Sequence, residues 1–210
     1  MYTLREYDAD ELPGLDAAVL LATQFAETIE TEWQKSKLFD DVQTYTQWVE
    51  NDHGGSEFWA ARVSYHDDIR YAKFYETVFK NHTENESQYI GMVDSFKNLP
   101  PSGPWLSRLV HYQFPFPLSD RDMIIWLGQV ETEAGTQFVN VTLPRSYASD
   151  QTKAFYVSVE VVTRIPDNRT KWVMATSSDA GGFVPQFVQR PQMSKAVSED
   201  VPQFKKWIGS

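Results

Sequence analysis

Arg62, Ser64 and His66 stand two residues apart in a segment that alternates like a strand, so their side chains share one face. Turned inward, they would form a polar column able to hold a carboxylate or carbonyl oxygen and move a proton. His66 has an ordinary pKa nearest neutrality and is the favoured proton shuttle, with Arg62 binding or polarising a substrate oxygen. The alternate positions Trp59, Ala61, Val63 and Tyr65 look like core, however, which predicts that the polar column faces solvent. Tyr112 and Tyr156 fall on strands suited to line a cavity, where their hydroxyls would orient a ligand or satisfy a neighbour. They complete the candidate catalytic set. Trp172 would add an apolar or cation-stabilising wall, with Phe183, Phe187 and Met193 as further ligand-binding residues.

Other polar pairs are weaker candidates. His82 and Glu86 lie four apart on a predicted helix, close enough to pair. They could supply two metal ligands, but spacing names no third, so a structural hydrogen bond is expected and no metal. Asn140 and Thr142 share a strand face, opposite the more apolar Val139, Val141 and Leu143, which argues against a place in a pocket. Arg121 and Asp122 follow a turn signal, and paired charges there usually fix loop geometry. The chain has no G-x-S-x-G elbow, phosphate loop or dinucleotide fingerprint, so no cofactor is expected.

These residues must be positioned by a recognisable series of elements. Leu15, Val19, Ala22, Ala26, Ile29 and Trp33 recur at helical spacing after Pro13-Gly14. Asp40–Glu50 reads as a second helix or a turn, which makes residues 1–50 a helical N-terminal segment. His53–Ser56 reads as a loop, Phe58–His66 as a strand and Tyr71–Ile90 as a helix that Asn81–Glu86 could interrupt. Pro100, Pro101 and Pro104 suggest a stiff connection. Strands are then predicted at Leu106–Phe114, Asp122–Glu131, Gln137–Leu143, Ala154–Arg164 and Lys171–Ser177. Along Ala154–Arg164, Phe155, Val157, Val159, Val161 and Thr163 face one way, and Tyr156, Ser158, Glu160 and Arg164 the other. Met193, Val197, Val201, Phe204 and Ile208 form a final apolar stripe. Phe183 and Phe187 extend it upstream, with Pro191 expected to kink the helix. Sequential hairpins followed by one long helix predict an antiparallel sheet with one buried face and a cavity beneath the helix.

Composition narrows the functional classes. The chain has 210 residues, with 7 Trp, 10 Tyr and 13 Phe, an aromatic share that suits a wide core or a cavity wall. It has no cysteine, which excludes disulfides, thiol nucleophiles and Cys-bound zinc. Twenty-nine acidic residues against 19 basic ones leave a net charge of −10, so nucleic acid and anionic membranes are not expected partners. The acidic start and the lack of long apolar runs predict no secretory signal, no stable membrane insertion and a cytoplasmic protein. One domain over residues 1–210 is expected, with the sheet and the last helix spanning 57–208.

Three segments resemble a known family. Phe116-Pro117-Leu118-Ser119-Asp120-Arg121-Asp122 resembles a motif of START lipid-transfer domains, and Ser178 to Pro185 resembles their passage from the last strand into the C-terminal helix. Trp59 to His66, with Asn81 to Glu86 and Tyr89, is similar to a narrower START-like fungal family of unknown function, number 3074. The resemblance covers about Phe58 to Ile208. It implies an α+β helix-grip fold, also called Bet v 1-like, in which a curved antiparallel sheet wraps a long C-terminal helix around an internal hydrophobic cavity. Two functions fit such a cavity. One is the binding of an apolar molecule such as a lipid, sterol, polyketide or terpenoid. The other is a cofactor-independent cyclase or isomerase of fungal secondary metabolism, which needs only a shaped cavity and one or two acid–base groups.

Overall fold

The computed structural model describes residues 1–51, 53–114, 118–132 and 134–209. Its first helix, α1, spans Leu15–Glu32 and buries Ala18, Ala22, Ala26 and Ile29, the three alanines being small enough to let the helix axis lie close to the sheet. Two strands follow where a helix or turn was expected: β1 at Gln34–Phe39 and β2 at Val42–Glu50 form an antiparallel hairpin. Asp40 turns the chain at φ 51, and the β-branched and aromatic residues Val42, Thr44, Tyr45, Thr46 and Trp48 favour a strand. The first fifty residues are therefore not wholly helical.

Strand β3 covers Ser56–His66. The next segment is helical but broken: α2 at Tyr71–Phe74 runs into a π turn at Tyr75–Phe79, and α3 at His82–Tyr89 restarts after Asn81, whose φ is 51. Asn85 spans the break, its Nδ2 donating to the carbonyls of Thr77 and Lys80 at 2.9 Å each. Strands β4 at Val93–Ser102 and β5 at Trp105–Tyr112 follow. Pro100 and Pro101 lie inside β4, not in a connection. That strand is at the sheet edge, where a missing N–H breaks no ladder on the open side. Gly103 makes the turn to β5 at φ 52.

The remaining strands are β6 at Arg121–Glu131, β7 at Gln137–Pro144, the short β8 at Thr152–Lys153, β9 at Phe155–Ile165 and β10 at Arg169–Asp179. The sheet order is β1-β2-β3-β10-β9-β7-β6-β5-β4, with all these neighbours antiparallel, and β8 adds a parallel pairing to β6. The α2–α3 crossing carries the chain from β3 to the far edge, and the meander returns so that β10 pairs with β3. Helix α4 spans Gln186–Ile208 as one element through Pro191 and Pro202. Both prolines sit at exposed positions, away from the packed face. Its buried stripe is Met193, Val197, Val201 and Phe204, with Ser194 and Ser198.

Both faces of the sheet are covered, where one buried face was expected. Side chains of successive strand residues point to opposite faces, and the strands are consistent about which residues go where. Val157, Val159 and Val161 join Val139, Val141, Leu143, Trp59, Ala61, Val63, Val173 and Ala175 against α1. Phe138, Val162 and Trp172 instead pack with Phe74, Val78, Val201 and Phe204, beneath α2 and α4. This second face also carries the polar residues.

Candidate ligand cavity

Between α4, α3 and the second sheet face lies an open cavity of about 660 Å³. Met123, Met174, Val197 and Trp207 give it apolar walls, and Tyr112 and Tyr156 line it from β5 and β9. It abuts a chamber of about 40 Å³ at the polar end, with Glu86, Tyr89, Tyr156, Met174 and Asp200 common to both.

Arg62 is at the centre of that chamber. Its side chain is 1% accessible, and its guanidinium stacks over Trp172 with Cζ 3.8 Å from the ring centroid. Nη2 lies 3.8 Å from Glu160 Oε1 and 3.6 Å from Asp200 Oδ2, while Nε and Nη1 are buried without an acceptor. Glu160 is held firmly, its carboxylate accepting from Trp172 Nε1 at 2.6 Å and Asn140 Nδ2 at 2.8 Å. His82 Nδ1 lies 2.7 Å from the Val78 carbonyl, which can only accept, so Nδ1 carries the proton of the neutral ring. Its Nε2 then faces Glu86 Oε1 at 3.4 Å.

Burial dominates the electrostatics. It pushes the Glu86 carboxyl up to about 7 and the Asp200 carboxyl up to about 6, against the opposing pull of His82 and Arg62 respectively. Burial works against a charged His82, yet the Glu86 and Glu160 carboxylates outweigh it and raise the ring overall. Burial also raises the phenols of Tyr89, Tyr112 and Tyr156, which therefore stay protonated donors.

Several candidates meet here and others do not. Arg62, Asn140 and Thr142 line the polar chamber, contrary to the expectation that their faces looked outward. Trp172 lines it too, and Tyr112 and Tyr156 line the main cavity. His66 is buried on the same face but lies among Phe74, Trp172 and Ser64, whose Oγ is 2.9 Å from Nε2. It lines neither space, and burial lowers its pKa to about 4. Phe183 precedes α4 and Phe187 lies in its first turn, and both are exposed to solvent, off the cavity wall. Met193 is buried against Ala60 and Val197 as packing. Arg121 ties the β5–β6 loop to the segment after β10, its Nε donating to Ala180 O at 2.7 Å. Asp122 accepts from His111 Nδ1 at 2.8 Å and from Ser149. The Phe116-Pro117 part of the motif lies outside the described residues.

Sequence reasoning passed over Glu160 and Asp200. A carboxylate inside the valine-rich β9 was the available signal for the first. Asp200 follows Val197 by three residues and precedes Val201, at the border of the apolar stripe. Among the described residues no cluster suited to a metal occurs, and no helix is long and apolar enough to cross a membrane.

This architecture is shared by solved START-like structures of the helix-grip class. Human STARD10 superposes with a TM-score of 0.75 at 15% identity, covering 93% of this chain and 79% of that one. Human StAR-related lipid transfer protein 5 gives 0.69 at 12% identity, covering 89% of this chain and 96% of its own. A STAR-related lipid transfer protein fragment from Xanthomonas axonopodis gives 0.67 at 11%, covering 85% and 99%. At such identities the likeness establishes the fold. No curated protein matches the sequence. The chain belongs to the family described as protein of unknown function (DUF3074), which matches residues 59–208.

Proposed function

We propose that the protein binds an apolar small molecule of the lipid, sterol, polyketide or terpenoid kind between α4 and the sheet. The cavity of about 660 Å³ carries this reading, because a cleft of that size with methionine, valine and aromatic walls suits a drug-sized apolar ligand. Its likeness in fold to StAR-related lipid transfer proteins supports it. Mass spectrometry of the purified protein should detect a co-purifying apolar compound, and a solvent-sensitive dye should be displaced by it. Ala196 lines the cavity without being packed in the core, so Ala196→Trp should occlude the site and abolish dye binding while unfolding is unchanged. Undiminished binding in that variant would overturn the assignment.

A second reading is favoured by one observation. Glu86 sits near neutral pKa beside His82 and faces a cavity that also carries tyrosine hydroxyls. That arrangement suits proton transfer in a cofactor-independent cyclase or isomerase. Glu86 would take the proton-shuttle role first considered for His66, with Arg62, Tyr112 and Tyr156 holding a substrate oxygen. Incubation with extracts, followed by comparison of wild type with Glu86→Gln, tests it: equal product formation would exclude Glu86.

A further inference from the structure

The polar end of the cavity is built for a particular kind of head group. Three elements bring carboxylates to it: β9 supplies Glu160, α3 supplies Glu86 and α4 supplies Asp200. Arg62 from β3 is the permanent cation, and His82 from α3 is already turned to Val78 and Glu86. Arg62 Nη2 is shared between Glu160 at 3.8 Å and Asp200 at 3.6 Å, and Glu160 alone of the three carboxylates is fixed by short hydrogen bonds, from Trp172 and Asn140. Glu86 and Asp200 remain. Their ion-pair contacts, 3.4 Å to His82 and 3.6 Å to Arg62, exceed the roughly 2.7–2.9 Å of a charge-assisted hydrogen bond. Each keeps about a quarter of its side-chain surface accessible, 26% and 23%, and both line the cavity. Lys206 and Glu199, which also line the main cavity, lie at exposed positions of α4.

Arg62 adds a second and independent demand. It is 1% accessible, faces the chamber, and has Nε and Nη1 without an acceptor. A buried donor left unmade is costly, so an oxygen is wanted there. The chamber of about 40 Å³ exceeds the roughly 10–15 Å³ that one water needs, and has room for only a small polar group. Tyr89 and Tyr156 line the same space with aromatic side chains, which favour a cation over an anion, while the Trp172 ring is already stacked by Arg62.

The geometry points to an occupant whose polar end is a protonated amine with a hydroxyl or carbonyl oxygen beside it, an amino-alcohol type of head on an apolar body. This inference rests on the binding reading above. The ammonium lies between Glu86 and Asp200, the neighbouring oxygen accepts from Arg62, and the apolar body occupies the methionine- and valine-walled space. Because both carboxyls are raised by burial, a bound cation draws them into the ionised form. Amine binding therefore releases protons near pH 6–7 and weakens as the pH falls through that range. Arg62, Glu160, His82 and the tyrosines are the other titratable or charged groups lining the chamber.

Calorimetric titration of the intact protein with decylamine, decanol, decanoate and the vicinal amino alcohol of the same chain length tests this. The amino alcohol and decylamine should bind at least about tenfold tighter than decanol, and decanoate weakest, since opposite charge at a desolvated site is worth that much. Proton release should appear as a dependence of the heat on buffer. Glu86→Gln with Asp200→Asn should remove the amine preference, so that amines and decanol bind within about twofold of each other, with a cooperative thermal unfolding transition showing that the variant is folded. Decanol or decanoate binding as well as the amines would overturn the amine assignment and leave the cavity reading intact. Failure of every probe and of an apolar dye to bind would overturn both.

Discussion

The two faces of one sheet are both covered, with different chemistry. Against α1 the sheet presents valines, a leucine, alanines and the rings of Trp59, Trp105 and Trp126, which cluster with four buried positions of the helix. Against α4 it presents Arg62, Glu160, Asn140 and Thr142 among tyrosines, tryptophan and methionine. The first face is one contiguous apolar cluster, and dispersion and water exclusion suffice to hold it. The second face stops short of closing. Its apolar clusters lie at Phe74, Trp172 and Phe204 and at Ala60, Met193 and Val197, with the cavity alongside. A continuous apolar core and the candidate cavity thus lie on opposite sides of the same strands.

Substitutions can break or sharpen this contrast. The largest loss is expected from Phe204→Ala, whose ring packs on Phe74 at 5.0 Å and Trp172 at 5.2 Å. It should cost about 3–5 kcal/mol in denaturant unfolding and disturb ligand binding as well. Ile29→Ala, on the α1 face, should cost about 2–5 kcal/mol while ligand affinity in the surviving native protein stays unchanged. Equal effects on binding would mean that the two faces are not independent.

A comparable loss should follow when the ion pair in the polar face is broken. Glu160→Met leaves the buried Arg62 with Asp200, 3.6 Å away and itself pushed toward the neutral form by burial, as its remaining carboxylate, and should cost about 3–5 kcal/mol. Adding Arg62→Met should restore part of that stability by removing the unpaired charge, while Trp172 Nε1 and Asn140 Nδ2 still lack the acceptor that Glu160 supplied. The double variant should be well folded and poor at holding a polar head group. A double variant that stays as unstable as the single one would show that the pair supports the fold itself.

The pH dependence is a smaller effect with a definite sign. Glu86 and Asp200, raised to about 7 and 6, bind protons in the native state that unfolded carboxyls have already released. They make stability fall as pH rises from about 4 to 7. His66, lowered to about 4, is neutral when folded and charged when unfolded, so it makes stability rise from about pH 4 to 6.5. The two trends oppose each other in the wild type. In Glu86→Gln with Asp200→Asn the rise due to His66 should emerge as a steeper increase between pH 4 and 6.5, read from thermal unfolding. A flatter profile would contradict the burial of His66. The smallest effect belongs to Phe187→Ser. That exposed ring contributes to neither face, and its loss should change stability by less than about 0.5 kcal/mol and leave binding unchanged.

Much of this architecture was legible from residue patterns. The alternation in β9 and the four-three spacing in α1 and α4 announced their elements directly. The β1–β2 hairpin was less plain, because its turn depends on Asp40 adopting a left-handed conformation. Pro100 and Pro101 read as a connection because only the sheet order shows β4 to be an edge. In the site, Tyr112, Tyr156 and Trp172 could be proposed from their strands, whereas Phe183 and Phe187 could not be placed by hydrophobicity, since nothing local tells a cavity wall from an exposed turn.

The sequence by itself determined which side chains travel together: Arg62 with Ser64 and His66, Asn140 with Thr142, Tyr156 with Ser158 and Glu160. Only the tertiary structure decided which way each set faces. A period of two divides a strand into two faces without naming either as interior, and here the more apolar set lies under α1. That leaves the polar sets to line the space beneath α4, where Asp200 and Glu86 arrive from distant parts of the chain to complete the site.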